Sequence, residues 1–145
     1  MIPPFRRNGR LPPGVHWATW EEIVERFGGN AHRLDLLAGL KRALENLQQA
    51  GCREFYLDGS FVTDKLEPAD FDGCWSKVGV APEMLDPVLL DFSHERVAQK
   101  KKYGGELFIA QSPATAERLY LEFFQRDRRD QRKGIIGIRL SEELL

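Results

Sequence analysis

Several things are scarce in this 145-residue chain, and each scarcity excludes something. It has two cysteines, Cys52 and Cys74, and three histidines, which is too few for a zinc site built on paired Cys/His spacing. The two cysteines read as reduced thiols filling core space in a cytoplasmic protein. No apolar run approaches the ~18 residues that cross a bilayer. The first residues, Met1-Ile2-Pro3-Pro4-Phe5-Arg6-Arg7, lack the apolar stretch of a secretory signal. Charge of one sign is lacking too. Lys and Arg number 21 against 22 Asp and Glu, so a uniformly basic nucleic-acid binder is excluded. What remains is a soluble globular chain of about one domain's length, able to bury a core without staples. It is too short for a catalytic domain plus a full recognition domain.

The even balance hides a pattern. From Glu54 to Asp91 there are nine acids against two bases, a net of −7. Residues 93–102 carry four bases against Glu95, and residues 126–133 carry five bases against two acids, a net of +3 each. An acidic centre with basic flanks suits a site that holds a cation and binds an anion around it. Solvated faces with chance clustering give the same count.

Residues 1–16 contain four prolines and read as extended or irregular. Thr19 and Glu22 form a capping box for a short helix to about Phe27, which Gly28-Gly29 ends. Asn30 caps a second helix, whose leucines 34, 37, 40, 44 and 47 repeat at helical spacing until Gly51. Strands are expected at 54–58, 70–75, 88–92 (after Pro87) and 134–138. Further helices are expected from Ser93 to about Tyr103 and from Thr115 to Gln125. The expected order is therefore α-α-β-β-β-α-α-β.

The chemistry concentrates between Leu57 and Gly73. A strand runs into Gly59-Ser60, nine residues follow, and then comes Asp70-Phe71-Asp72. Strand alternation puts Asp70 and Asp72 on one face, about 6.5–7 Å apart, with Phe71 on the other. Two such carboxylates repel unless a divalent cation sits between them. A surface turn after Pro68 is the competing account of the pair. Gly59 lets a backbone approach a ligand, and Ser60 offers donors to a phosphate. Asp91 lies in an apolar run, where an ionised acid is costly unless paired or metal-bound. Its neighbour Ser93 offers another explanation, a helix start that favours acids.

Gly59-Ser60, the nine-residue gap, Asp70-x-Asp72 and the later Asp91 resemble the signature of the nucleotidyltransferase superfamily related to DNA polymerase beta, in its minimal single-domain prokaryotic form. The chain also resembles an uncharacterised family of short bacterial nucleotidyltransferase-like proteins. That likeness runs through residues 59–65, residues 70–75 and Lys102-Tyr103-Gly104-Gly105-Glu106-Leu107-Phe108. The resemblance implies an α/β (α+β) fold, a small mixed β-sheet with helices packed on one side, forming one domain over residues 1–145. It implies Mg²⁺-dependent nucleotidyl transfer, with Mn²⁺ as an alternative ion, from an NTP to a hydroxyl on RNA (a tRNA end is one candidate) or on a protein. Asp70, Asp72 and Asp91 would be the catalytic, metal-holding acids. Gly59 and Ser60 would face the nucleotide phosphates, with Lys65 and Lys102 as further nucleotide-binding candidates. Active minimal members often carry an Arg just after the glycine–serine pair, where this chain has Phe61-Val62-Thr63-Asp64. That departure keeps a second expectation open, a weak or inactive binding module of a toxin–antitoxin or phage-defence pair with a cognate protein partner. No membrane partner is expected.

Overall fold

A computed structural model describes residues 1–143 and 145. The capping box holds. Thr19 Oγ1 accepts from the Glu22 N–H at 3.1 Å, and Glu22 Oε1 accepts from the Thr19 N–H at 3.0 Å. They start helix α1, Trp20–Phe27. Asn30 Oδ1 accepts from the Arg33 N–H at 2.8 Å and starts α2, Ala31–Gln49. Leu37, Leu40, Leu44 and Leu47 are buried, whereas Leu34 stands at the exposed edge of the stripe.

Five strands form one mixed sheet: β1 (Gly14–Trp17), β2 (Glu54–Asp58), β3 (Phe71–Trp75), β4 (Gly105–Ile109) and β5 (Gly134–Arg139). Their spatial order is β1-β5-β2-β3-β4. The outer pairs, β1 with β5 and β3 with β4, are parallel, and the inner pairs are antiparallel. Helix α3, Ser93–Tyr103, connects toward β4, and a one-turn helix α4 spans Tyr120–Phe123.

Alternation divides the sheet into two faces. Phe55, Leu57, Phe71, Trp75, Leu107, Ile136 and Ile138 join the leucines of α2 in the main core. α3 packs beside α2 closely enough that a Cβ on Gly39 would lie 1.9 Å from the Tyr103 carbonyl oxygen. On the opposite face, Tyr56, Cys74, Ile135 and Phe124 form a smaller cluster with Trp17, Phe108 and Tyr120 around it. Both cysteines are free and buried, as expected of core thiols. Among the described residues, no helix is long and apolar enough to cross a membrane.

The element order differs from expectation in four places. The run 88–92 is not a strand. Pro87–Leu90 is a 3₁₀ turn, because Pro87 has no N–H to give a sheet and Asp86 Oδ1 accepts from the Val88 N–H at 3.1 Å. The 115–125 helix shrinks to Tyr120–Phe123. Thr115 Oγ1 takes the N–H groups of Glu117 and Arg118 at 3.2 and 3.1 Å and so closes a turn instead. β1 lies at the end of the segment expected to be irregular. β4 was missed, because Gly104-Gly105 read as a helix break alone, although Gly104 (φ 88°) is also the left-handed cap from which the strand departs.

Candidate active site

The sheet register assembles the site. Asp58, at the end of β2, lies opposite Asp72 of β3, and Asp72 lies opposite Glu106 of β4. Direct partners share a face, so three carboxylates form a row across three adjacent strands. The row faces away from α2, on the floor of a cleft of about 1090 Å³ that Gly59 and Ser60 also line.

Gly59 is required twice over. Its φ of 86° lies in the left-handed region, and a Cβ there would sit 2.5 Å from Asp72 Oδ2. After it, Ser60–Val62 make one 3₁₀ turn, closed by Thr63 Oγ1 donating to the Ser60 carbonyl at 2.6 Å. The loop is fastened from behind by Arg33 of α2. Its buried guanidinium donates to the carbonyls of Phe61 at 2.8 Å, Thr63 at 2.9 Å and Lys65 at 2.5 Å. It also sits 5.0 Å over the Phe61 ring.

The three carboxylates differ in what neutralises them. Asp58 is buried, and Lys133 Nζ lies 3.0 Å from Oδ1 and donates to Oδ2 at 3.2 Å. Burial pushes the Asp58 pKa up, and Lys133 opposes that push. Glu106 pairs with Arg96 Nε at 2.8 Å and with Lys100 Nζ at 3.5 Å. Arg96 ends a left-handed turn over His94, Glu95 and Arg96 (φ 49°, 55° and 61°), and its guanidinium lies 5.5 Å over Phe108. Such backbone costs roughly 1–2 kcal/mol per residue and persists where surrounding contacts impose it. Asp72 has no ion pair among the described residues. Burial, then the charges of Asp70, Asp58 and Glu106, push its pKa up to about 7. Asp70, just before β3, is raised in the same direction, by burial first and then by Glu106.

The structure thus places Gly59, Ser60 and Asp72 in one cleft, with Asp70 outside its lining but near enough for its charge to act on Asp72. It does not bring the other three candidates with them. Asp91 is the C-cap of the Pro87–Leu90 turn, outside the sheet, where it accepts from the Ser93 N–H at 3.1 Å and Oγ at 2.5 Å. Those bonds hold its pKa below the usual carboxylate range and explain the acid locally. Lys102 pairs with Asp86 at 2.5 Å, away from the cleft. Lys65 is exposed; its charge reaches Asp70, and its backbone serves Arg33. Glu106 stands where a third strand acid was expected of Asp91. Its signal was present in Gly105-Glu106-Leu107-Phe108-Ile109, a β-prone run after a helix-ending glycine. Asp58, at the strand end before Gly59, reads from sequence as a hydrogen-bonding support; its ion-pair partner Lys133 is the second omission, since 75 residues separate them in sequence.

Asp70 and Asp72 fit a hard divalent cation. They are oxygen donors in no ion pair among the described residues, although the charges of Lys65 and Lys100 reach Asp70 and that of Lys133 reaches Asp72, and Mg²⁺ is usually held by one or two carboxylates plus substrate phosphates. As the side chains lie, no group of three His, Cys, Asp or Glu is gathered for a metal among the described residues. In comparison with known proteins, residues 3–139 match the model of DUF6932, a family of unknown function. The chain belongs to that family. No curated protein and no solved structure matches it. The match spans all five strands, so the acid row lies wholly inside the DUF6932 region.

Proposed function

We propose that the protein transfers a nucleotidyl group from an NTP to an acceptor hydroxyl with the help of Mg²⁺ or Mn²⁺. The observation that carries this reading is Asp72, an uncompensated carboxylate beside Gly59-Ser60 in the middle of an acidic row. Asp70 and Asp72 would hold the cation, and when bound it would supply charge to acidify the acceptor hydroxyl and to shield the leaving pyrophosphate. Gly59 and Ser60 present backbone and hydroxyl donors to the β- and γ-phosphates. Glu106 replaces Asp91 as the third acid. The acceptor oxygen bonds to the α-phosphorus, the bond to the bridging oxygen breaks, and the proton passes to the acid row. A cytoplasmic setting accords with this reading and with the two free thiols.

Incubation with labelled NTPs, Mg²⁺ and total RNA or lysate tests the proposal. Transfer is expected with wild type and falls by about 10³-fold or more in Asp72→Asn, the scale of losing metal-assisted stabilisation. Label no higher with wild type than with Asp70→Ala/Asp72→Ala overturns it.

One observation favours a second reading, association without catalysis in a toxin–antitoxin or phage-defence pair. Lys133, and Arg96 with Lys100, already occupy two of the row's three acids. Calorimetry separates the two readings, because Mg²⁺-dependent NTP binding that Asp72→Asn abolishes excludes a degenerate site.

A further inference from the structure

The wall of the cleft differs in kind from its floor. Phe108 lies on β4 two residues beyond Glu106, on the same face and about 7 Å along the strand. Tyr120 stacks on it with centroids 4.2 Å apart and planes 11° from parallel. Phe123 follows edge-on to Tyr120 at 6.3 Å and remains 41% exposed. Beyond these rings, Arg126, Arg128 and Arg129 line the same cleft.

The Asp127–Asp130 turn sets these arginines. Asp127 Oδ1 accepts from the N–H groups of Arg129 and Gln131 at 2.8 and 2.9 Å, while Oδ2 binds Arg10 at 2.6 Å. Asp130 pairs with Arg118. Both acids of the turn are therefore engaged. Arg128 and Arg129 are exposed and have no ion pair among the described residues.

We propose that this wall binds the single-stranded end of a nucleic acid. Unpaired bases stack on Tyr120 and Phe123, and backbone phosphates meet Arg126, Arg128 and Arg129. Phe123 is exposed and Tyr120, with one face against Phe108, is half-buried; aromatic rings interleaved with guanidinium groups are the chemistry that holds unpaired bases on a charged backbone. The cleft, about 1090 Å³, exceeds the usual ~300–1,000 Å³ of a small-ligand pocket, so it has room for a polymer end beside a nucleotide. The inference rests on the nucleotidyl-transfer reading for its use and adds the class of acceptor. A strand on this wall leads its terminal hydroxyl toward the acid row, since Phe108 and Glu106 share a strand face.

Fluorescence anisotropy with a labelled single strand of about eight nucleotides, in chelator and without NTP, tests it. Wild type is expected to bind with an affinity that falls with salt. Arg128→Ala/Arg129→Ala should reduce the log–log salt slope by about 1.4, at about 0.7 per phosphate contact on a single strand. Phe123→Ala should weaken binding about tenfold at every salt concentration, the scale of one lost stacked base. RNA and DNA strands run in parallel distinguish the two sources of that chemistry, and either binding supports the site. A duplex that binds as well as the single strand, or a slope unmoved by the arginine variants, overturns it. So does label transfer to protein that none of the wall variants alters. Binding of a fluorescent NTP with Mg²⁺, measured on the same variants, separates the two claims. NTP binding that needs Asp72, with no strand binding, refutes the wall and leaves the transferase reading standing. Strand binding that the wall variants weaken, with no NTP binding, upholds the wall and refutes the transferase.

Discussion

The two faces of the sheet are built from alternate residues of the same strands and solve opposite problems. On the face under α1, α2 and α3, Phe71, Trp75 and Leu107 meet leucines and are held by apolar packing, with the Trp75 indole N–H the one buried donor there left without a partner among the described residues. On the other face, Asp72 and Glu106 are the residues between them, and charge is met by charge or left unmet. One face takes its order from burial, worth about 25 cal/mol per Å² of apolar surface. The other carries a concentration of like charge that burial makes more costly. Stability and the site are therefore separable by position parity along β3 and β4.

The largest break in this comparison comes from the covered face. Leu44 is fully buried in α2, and Leu44→Ala should cost about 3 kcal/mol through lost transfer energy and a residual cavity. A fall of about 10 °C in Tm is expected. Cleft functions measured per folded molecule should stay within a factor of two. A Tm within 2–3 °C of wild type, far less than a cavity produces, would show that the α2 face is not the main core.

A smaller effect on the cleft face sharpens the contrast. Lys133→Met leaves Asp58 buried without its cation. Removing one partner of a buried pair typically costs about 3–5 kcal/mol, and solvent at the lysine end reduces this to about 2 kcal/mol. Asp58 escapes by taking a proton, so the loss should be greater at pH 8 than at pH 5. Adding Asp58→Asn should restore most of it. A double variant no more stable than Lys133→Met would mean that the lysine acts by packing instead.

The sequence revealed the covered face better than the cleft, and for a physical reason. The Thr19–Glu22 capping box, the Asn30 cap and the leucine stripe each complete their signal within a few turns of chain. The strands at 54–58 and 71–75 announce themselves by aromatic content beside glycines. The site's innermost pairings are instead long-range. Asp72 meets Glu106 across 34 residues, and Asp58 meets Lys133 across 75. The apolar run after Pro87 points to a buried Asp91, whereas its carboxylate accepts from Ser93 two residues on and needs no partner from the sheet. Arg33 carries no local signal among the helix's leucines, because the carbonyls it binds, those of Phe61, Thr63 and Lys65, lie 28 to 32 residues away. Local chemistry singles out Gly59, Ser60, Asp70 and Asp72 as candidates; only register could supply the acid and cations around them.

The last expected effect is a slope, small over any one unit of pH, and it belongs to Asp72 alone. Its pKa is near 3.8 in the unfolded chain and about 7 in the folded protein. Below about pH 4 both states hold the proton, and the carboxyl group costs the fold nothing. Between about pH 4 and pH 7 the unfolded chain has released the proton and the folded protein has kept it. Stability should therefore fall as pH rises, by at most about 1.4 kcal/mol per pH unit. Solvent at the open side of the carboxyl keeps the loss below that ceiling. Above pH 7 both states are ionised and the loss is complete. Other groups titrate over the same range, so the informative quantity is wild type minus Asp72→Asn, measured by urea unfolding in chelator. That difference should widen from pH 4 to pH 7, with the variant the more stable at pH 8. Saturating Mg²⁺ should remove most of it, because a cation on Asp70 and Asp72 favours the ionised form that the bare row opposes. Parallel curves in chelator would show that the row carries no stored repulsion. The cleft face would then be as quiet electrostatically as the face beneath the helices.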